Sequence, residues 1–90
     1  MNLKELADIA GKSVNIYGTI KDDNTLIFTA SISDIEIKDG PCLISQWGKG
    51  KTPEQALQDY AFNIKGETAV SNAFQNDRRE FKIPTSLTAF

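Results

Sequence analysis

The segment Gly48-Lys49-Gly50-Lys51-Thr52 ends like a phosphate-binding loop, because Gly50-Lys51-Thr52 reproduces the close of that motif. Such loops aim backbone N–H groups and a lysine at phosphate oxygens. The full pattern needs a glycine five residues before Gly50, and that position is Ser45. A chain of 90 residues is also too short for a nucleotide-hydrolysing α/β domain. A simpler anion preference survives, because Lys49, Lys51 and a helix N-terminus capped by Thr52 all favour negative charge. The alternative is an ordinary strand-to-helix turn with solvated lysines.

Residues 72–81 hold both arginines of the chain, Arg78 and Arg79, together with Asn72 and Phe74. Guanidinium forks grip carboxylates and phosphates through two parallel hydrogen bonds, and an aromatic ring offers a stacking face. That makes a candidate ligand or partner surface. The competing reading is a hairpin whose arginines pair with Asp77 and Glu80. Trp47 lies just before the glycine turn, where it can edge a pocket; Trp47 and Tyr60 also read as core residues. Asp22-Asp23 and Asp34-x-Glu36-x-x-Asp39 do not have calcium-loop spacing and read as solvated turns.

Catalytic sets are missing. There is no histidine, which removes the commonest general base, the serine and cysteine triads built on it, and most zinc sites. Cys42 is the single cysteine, so neither an intramolecular disulfide nor a Cys₄ metal site can form. A free thiol fits a reducing compartment. The expectation is a protein that is not an enzyme and needs no cofactor or metal.

Length and composition set the frame around these residues. Ninety residues hold one hydrophobic core, and 40% apolar with 24% charged residues is ordinary for a globular domain. The formal net charge of −2 points away from double-stranded nucleic acid as a partner. It is unevenly spread. Up to Gly48 there are 4 basic and 7 acidic residues, and from Lys49 onward 6 basic and 5 acidic. An anion-facing surface therefore belongs to the second half. No targeting signal and no membrane-spanning run is visible, so no membrane role is expected and the chain reads as cytosolic.

The elements that must position the candidates follow from periodicity. Leu3, Leu6, Ala7 and Ala10 share one helical face, with Asn2 and Glu5 as a capping box and Gly11 as a stop. Val14, Ile16, Gly18 and Ile20, then Leu26, Phe28, Ala30 and Ile32, alternate on either side of the polar turn 21–24 and predict a hairpin. At Ile35 and Ile37 the apolar phase moves from even to odd positions, which predicts a bulge or bend near Ser33 and Asp34. A third strand is predicted over 42–47.

Thr52, Pro53 and Gln55 open a helix over 53–65 with an apolar stripe of Leu57, Tyr60, Ala61 and Ile64, closed by Gly66. A second hairpin is predicted from the alternation of residues 69–74 and 79–83, and Pro84 ends it. Residues 85–90 read as a loose tail, with Leu87 and Phe90 available to a partner. The order α-β-β-β-α-β-β predicts one α+β domain, a two-layer sandwich of an antiparallel sheet and one main helix.

From Gly48 onward the chain resembles a family of small uncharacterised accessory proteins of bacteriophages and mobile elements. The resemblance rests on Gly48-Lys49-Gly50-Lys51-Thr52-Pro53-Glu54-Gln55-Ala56-Leu57, then Asn72-Ala73-Phe74, then Arg78-Arg79-Glu80-Phe81-Lys82-Ile83-Pro84. It implies a viral protein that works by stoichiometric binding in the cytoplasm of an infected bacterium, inhibiting a host defence system. Its partner would be a host or defence-system protein, or a small anionic nucleotide. Three strands followed by the Thr52-Pro53-Glu54 helix also look like HicB-type antitoxins, which would imply neutralising a small RNase, and like double-stranded-RNA-binding domains. In the latter likeness Pro53-Glu54-Gln55 stands where those domains carry a lysine cluster. The residues expected to meet a partner are Trp47, Lys49, Lys51, Thr52, Asn72, Phe74, Arg78 and Arg79, with the Gly48–Thr52 turn and the arginine hairpin forming one surface. Pairing through a strand edge would allow a homo-oligomer.

Overall fold

The computed structural model describes all residues from Met1 to Phe90. The chain forms a small α+β fold built from two helices and antiparallel strands. Helix α1 spans Leu3–Ala10 and helix α2 spans Pro53–Ile64. The strands are β1 (Val14–Ile20), β2 (Leu26–Ile32), β3 (Ile35–Asp39), β4 (Cys42–Ile44), β5 (Gly48–Gly50), β6 (Thr68–Ser71) and β7 (Arg79–Lys82). They pair as two sheets, in the orders β1-β2-β5 and β4-β3-β6-β7.

Of the expected third strand, 42–47, only Cys42–Ile44 forms, as β4, and the expected glycine turn supplies a separate strand, β5, in the other sheet. The cause lies at Ser33 and Asp34, where the apolar phase changes. Asp34 adopts a left-handed backbone conformation, with φ 55. Aspartate tolerates this better than most residues. The turn passes the chain from one sheet to the other. Opposite it the return strand also changes sheet, between Ile44 and Gly48. The two ladders are offset: the six residues 31–36 separate Ala30 from Ile37, while only the three residues 45–47 separate Gly48 from Ile44. The long hairpin made of β2–β3 going out and β4–β5 coming back therefore splays open at its middle.

Only the part of the first hairpin's even set nearest the core turns inward, while Ile16, Ile20 and Leu26 stay exposed. Ala30 and Ile32 are buried, and Phe28 packs against the core beside them. Gly48 and Gly50 complete this inner face by bringing β5 against α2. The main-chain N–H of Ile32 donates to the Tyr60 hydroxyl over 3.1 Å, which satisfies two buried polar groups at once. Tyr60, Ala61 and Ile64 of the predicted stripe are buried, and Ala56 joins them. One core runs through both helices and both sheets, from Leu3 and Leu6 through Ile35 and Ile37 to Ile83.

Two further expectations change. The strand predicted through Phe74 ends at Ser71, because Asn72 turns the chain with φ 53. The tail is not loose. Leu87 is buried in the protein's own core, and Thr88 bridges Asn2 in parallel, its N–H donating to the Met1 carbonyl at 3.1 Å. Phe90 stays exposed. No helix is long and apolar enough to cross a membrane.

Candidate binding trough

The odd set of the first hairpin faces outward. Across the three-stranded sheet, Tyr17 pairs with Thr29, and Thr29 with Lys49. One step along, Asn15 pairs with Ser31. Trp47 lies just beyond the end of β5 on the same side. Thr29 is buried at the middle of the first row, between the exposed Tyr17 and Lys49. Tyr17 is 57% exposed and Trp47 49% exposed. Both rings border a hollow of about 330 Å³ with Thr19, Thr29 and Lys49. They also border a second hollow of about 300 Å³ that opens where the hairpin splays, lined by residues 31–36 and 45–47. The splay thus brings the exposed Asp34 and the half-buried Glu36 to the same hollow as the two aromatic rings. Ser45 and Gln46 pair with neither strand ladder there.

Lys12 lies 3.9 Å from the Asp34 carboxylate and is itself held by the Asn72 side-chain oxygen at 2.7 Å. Glu36 has no ion-pair partner. Two aromatic rings and an unpaired carboxylate can hold a cation, because ring faces and carboxylate attract positive charge together.

The glycine-lysine turn has a different construction from a phosphate loop. The Lys49 N–H donates to the Asp59 carboxylate at 2.9 Å, and the Lys51 N–H to the Gln55 side-chain oxygen at 3.0 Å. Thr52 caps α2, its hydroxyl accepting from the Gln55 N–H at 3.1 Å. The backbone donors a phosphate would use are occupied by α2 itself. The lysine side chains remain free of ion pairs.

The arginine hairpin is a separate place. Lys49 and Lys51 border the three-stranded sheet, whereas Arg79 opens β7 at the edge of the other sheet, and no hollow is lined by residues of both groups. The expected joint surface thus has no shared hollow, and Asn72 reaches the trough only through Lys12 and Asp34. Arg78 pairs with Glu80 at 2.8 Å, and Lys38 with the other oxygen of the same carboxylate at 2.9 Å. Hydrogen bonds from Lys38 first, and from Arg78, hold the Glu80 carboxyl below its ordinary value. Arg79 donates to the Ile9 carbonyl in the last turn of α1, at 3.2 Å. Asn72 donates to Asp77 at 3.1 Å. Phe74 is 90% exposed and borders none of the hollows.

Of the eight expected site residues, Trp47, Lys49 and Lys51 border the trough. Thr52 is a helix cap, Asn72 and Arg79 tie elements together, Arg78 pairs with its neighbour Glu80, and Phe74 stands exposed. Tyr17 and Lys21, which also border the trough, are not among the expected site residues, and Asp34 and Glu36 read as a solvated turn in the sequence. A signal for Tyr17 was present, because it is an aromatic residue in the polar phase of an alternating strand.

Residues 11–65 match the model of the survival motor neuron protein (SMN) Tudor domain. The chain belongs to this family. The Tudor segment begins at the glycine that ends α1 and closes at the end of α2. It holds every residue bordering the Tyr17–Trp47 hollows and leaves Asn72, Phe74 and the arginines outside. Searches of curated proteins and of solved structures give no match.

Proposed function

We propose that this protein is a stoichiometric binding module that captures a cationic side chain of a partner protein between Tyr17, Trp47 and Glu36. Tudor domains are generally non-catalytic binding modules, with methylated proteins or RNA as their ligands. The observation that carries the reading is the position of the two exposed rings, which share both hollows and face a carboxylate at one end. Methylated ammonium and guanidinium groups suit such a site. Methylation weakens their hydration and leaves the charge available to a ring face, worth about 2 kcal/mol where water is excluded. The resemblance of residues 48–84 supports a setting for this capture: a bacteriophage accessory protein in the cytoplasm of an infected bacterium, with a host defence protein as partner.

Trp47 is the only tryptophan, so its fluorescence reports the site directly. Peptides carrying methylated arginine or lysine should quench or shift it on titration. Tyr17→Ala and Glu36→Gln should each weaken binding about tenfold or more. A wild-type protein whose Trp47 responds to none of these peptides would overturn the reading.

A further inference from the structure

A third hollow continues the trough beyond Lys49. It measures about 330 Å³ and is lined by Lys21, Ile27, Lys49, Gly50, Lys51 and Gln55. Lys49 borders this hollow and the Tyr17–Trp47 one, so the three hollows form a single run across the outer face of the sheet. Its two ends carry opposite charge, with Asp34 and Glu36 at one end and Lys21, Lys49 and Lys51 at the other.

None of these three lysines has a carboxylate within ion-pair distance. Of the acidic groups close in sequence, Asp59 accepts the Lys49 main-chain N–H and Asp23 accepts the Thr25 N–H at 3.0 Å, while Asp22 and Glu54 form no ion pair with any lysine. Gln55 takes the Lys51 N–H. The Lys49 and Lys51 main-chain donors are therefore consumed, while three lysines without an ion-pair partner border one hollow. Such an arrangement raises the local potential and attracts an anion.

We propose that the lysine end is an anion subsite of the same trough, so that the partner segment carries a cation and an anionic group at a set spacing. This rests on the capture of a cation at Tyr17 and Trp47. Trp47 and Lys49 are two residues apart along one strand direction, about 7 Å, and Lys51 lies about twice that far. An extended partner strand repeats the same spacing. Its carboxylate or phosphate then stands about two to four residues from the cationic side chain.

Fluorescence titration of four peptide types tests this: cation alone, cation with glutamate, cation with phosphoserine, and an alanine-rich peptide with phosphoserine alone. The acidic residue is placed two, four or eight positions away on either side. At low salt, the peptides with spacing two or four should bind about tenfold tighter than the cation-only peptide, with phosphoserine exceeding glutamate. Spacing eight should give no such gain. In a Lys21→Ala, Lys51→Ala double variant the ratio between bipolar and cation-only peptides should fall to about one, and added salt should erase it likewise.

The phosphoserine-only peptide reads the subsite by itself, through displacement of the Lys49–Lys51 amide resonances. If these stay still, or if the ratio survives in the double variant, the anion subsite is wrong. If they move while no cationic peptide binds, the subsite stands and the Tyr17–Trp47 reading fails. Tighter binding of a single-stranded RNA, lost with Tyr17 and Lys51 together, would overturn the bipolar peptide as the ligand.

Discussion

A Cβ added at Gly48 would stand 2.2 Å from the Ala56 carbonyl oxygen and 2.2 Å from the Tyr60 nitrogen. At Gly50 it would meet the Gln55 Cβ at 2.5 Å. Both neighbours belong to the framework of α2, which cannot rotate away, so Gly48→Ala should cost about 3 kcal/mol or more in urea denaturation. Lys49→Ala, between the two, should leave stability nearly unchanged. The same two glycines suggested a phosphate loop in the sequence, and their use is instead close strand-to-helix approach. Tyr60 shows a second buried constraint. Burial raises its hydroxyl above the ordinary value of 10.0, while the Ile32 N–H pulls the other way. With the folded value above the unfolded one, the resulting stability is complete below pH 10.0 and is lost as pH climbs through the folded value. Tyr60→Phe should remove that alkaline slope and cost about 1–3 kcal/mol at neutral pH, because the Ile32 N–H loses its acceptor. Denaturation curves at pH 7 and above 10 check both parts. At the surface, Glu80 should titrate below 4.5 in a carboxyl NMR titration and return toward it in Lys38→Ala.

The elements were legible where one local rule decided them. The capping box of Asn2 and Glu5, the Thr52 cap with Pro53 behind it, and the alternation on either side of residues 21–24 all depend on neighbours in sequence. The phase change at Ile35 was legible as well, but its consequence was not. Alternation says that a strand's buried face flips; it does not say that the strand leaves one sheet for another. That depends on β6, which lies more than thirty residues further on and takes the far edge of β3. The trough escaped for the same reason. Asp34 and Glu36 look like a solvated turn until the splay sets them beside Tyr17 and Trp47. Asp34 is the pivot of this switch, and its left-handed conformation is testable. Asp34→Val should lose about 1–2 kcal/mol relative to Asp34→Gly, because a branched Cβ is poorly tolerated at positive φ. Equal stability of the two variants in urea would mean that the pivot does not hold that conformation.

At the scale of the whole molecule, the Tudor segment and the domain are different units. Residues 11–65 contain the trough, yet of the 15 core residues Leu3, Leu6, Ala7 and Ala10 precede them, and Ala69, Ile83 and Leu87 follow. The flanks do more than cover a finished core. Strand β3 is paired on one side by β4 and on the other by β6, so removing the flanks leaves one of its edges bare. The ends of the chain clasp each other through the Asn2–Thr88 bridge, which closes the core over Leu3 and Leu87. A core shared this widely has no internal boundary at which half of it can melt first. The full chain should therefore unfold in a single transition, with fluorescence of Trp47 and far-ultraviolet circular dichroism giving the same midpoint. The fragment 11–65, with almost half of the shared core absent, should give the narrow amide dispersion of an unfolded chain in an NMR spectrum. Deleting residues 85–90 alone should keep the fold but lower its stability by about 2–3 kcal/mol, the cost of losing one buried leucine and its packing. A well-dispersed spectrum from fragment 11–65 would show instead that the trough's own strands suffice, and that the helix and hairpin outside the Tudor segment are additions to an autonomous domain.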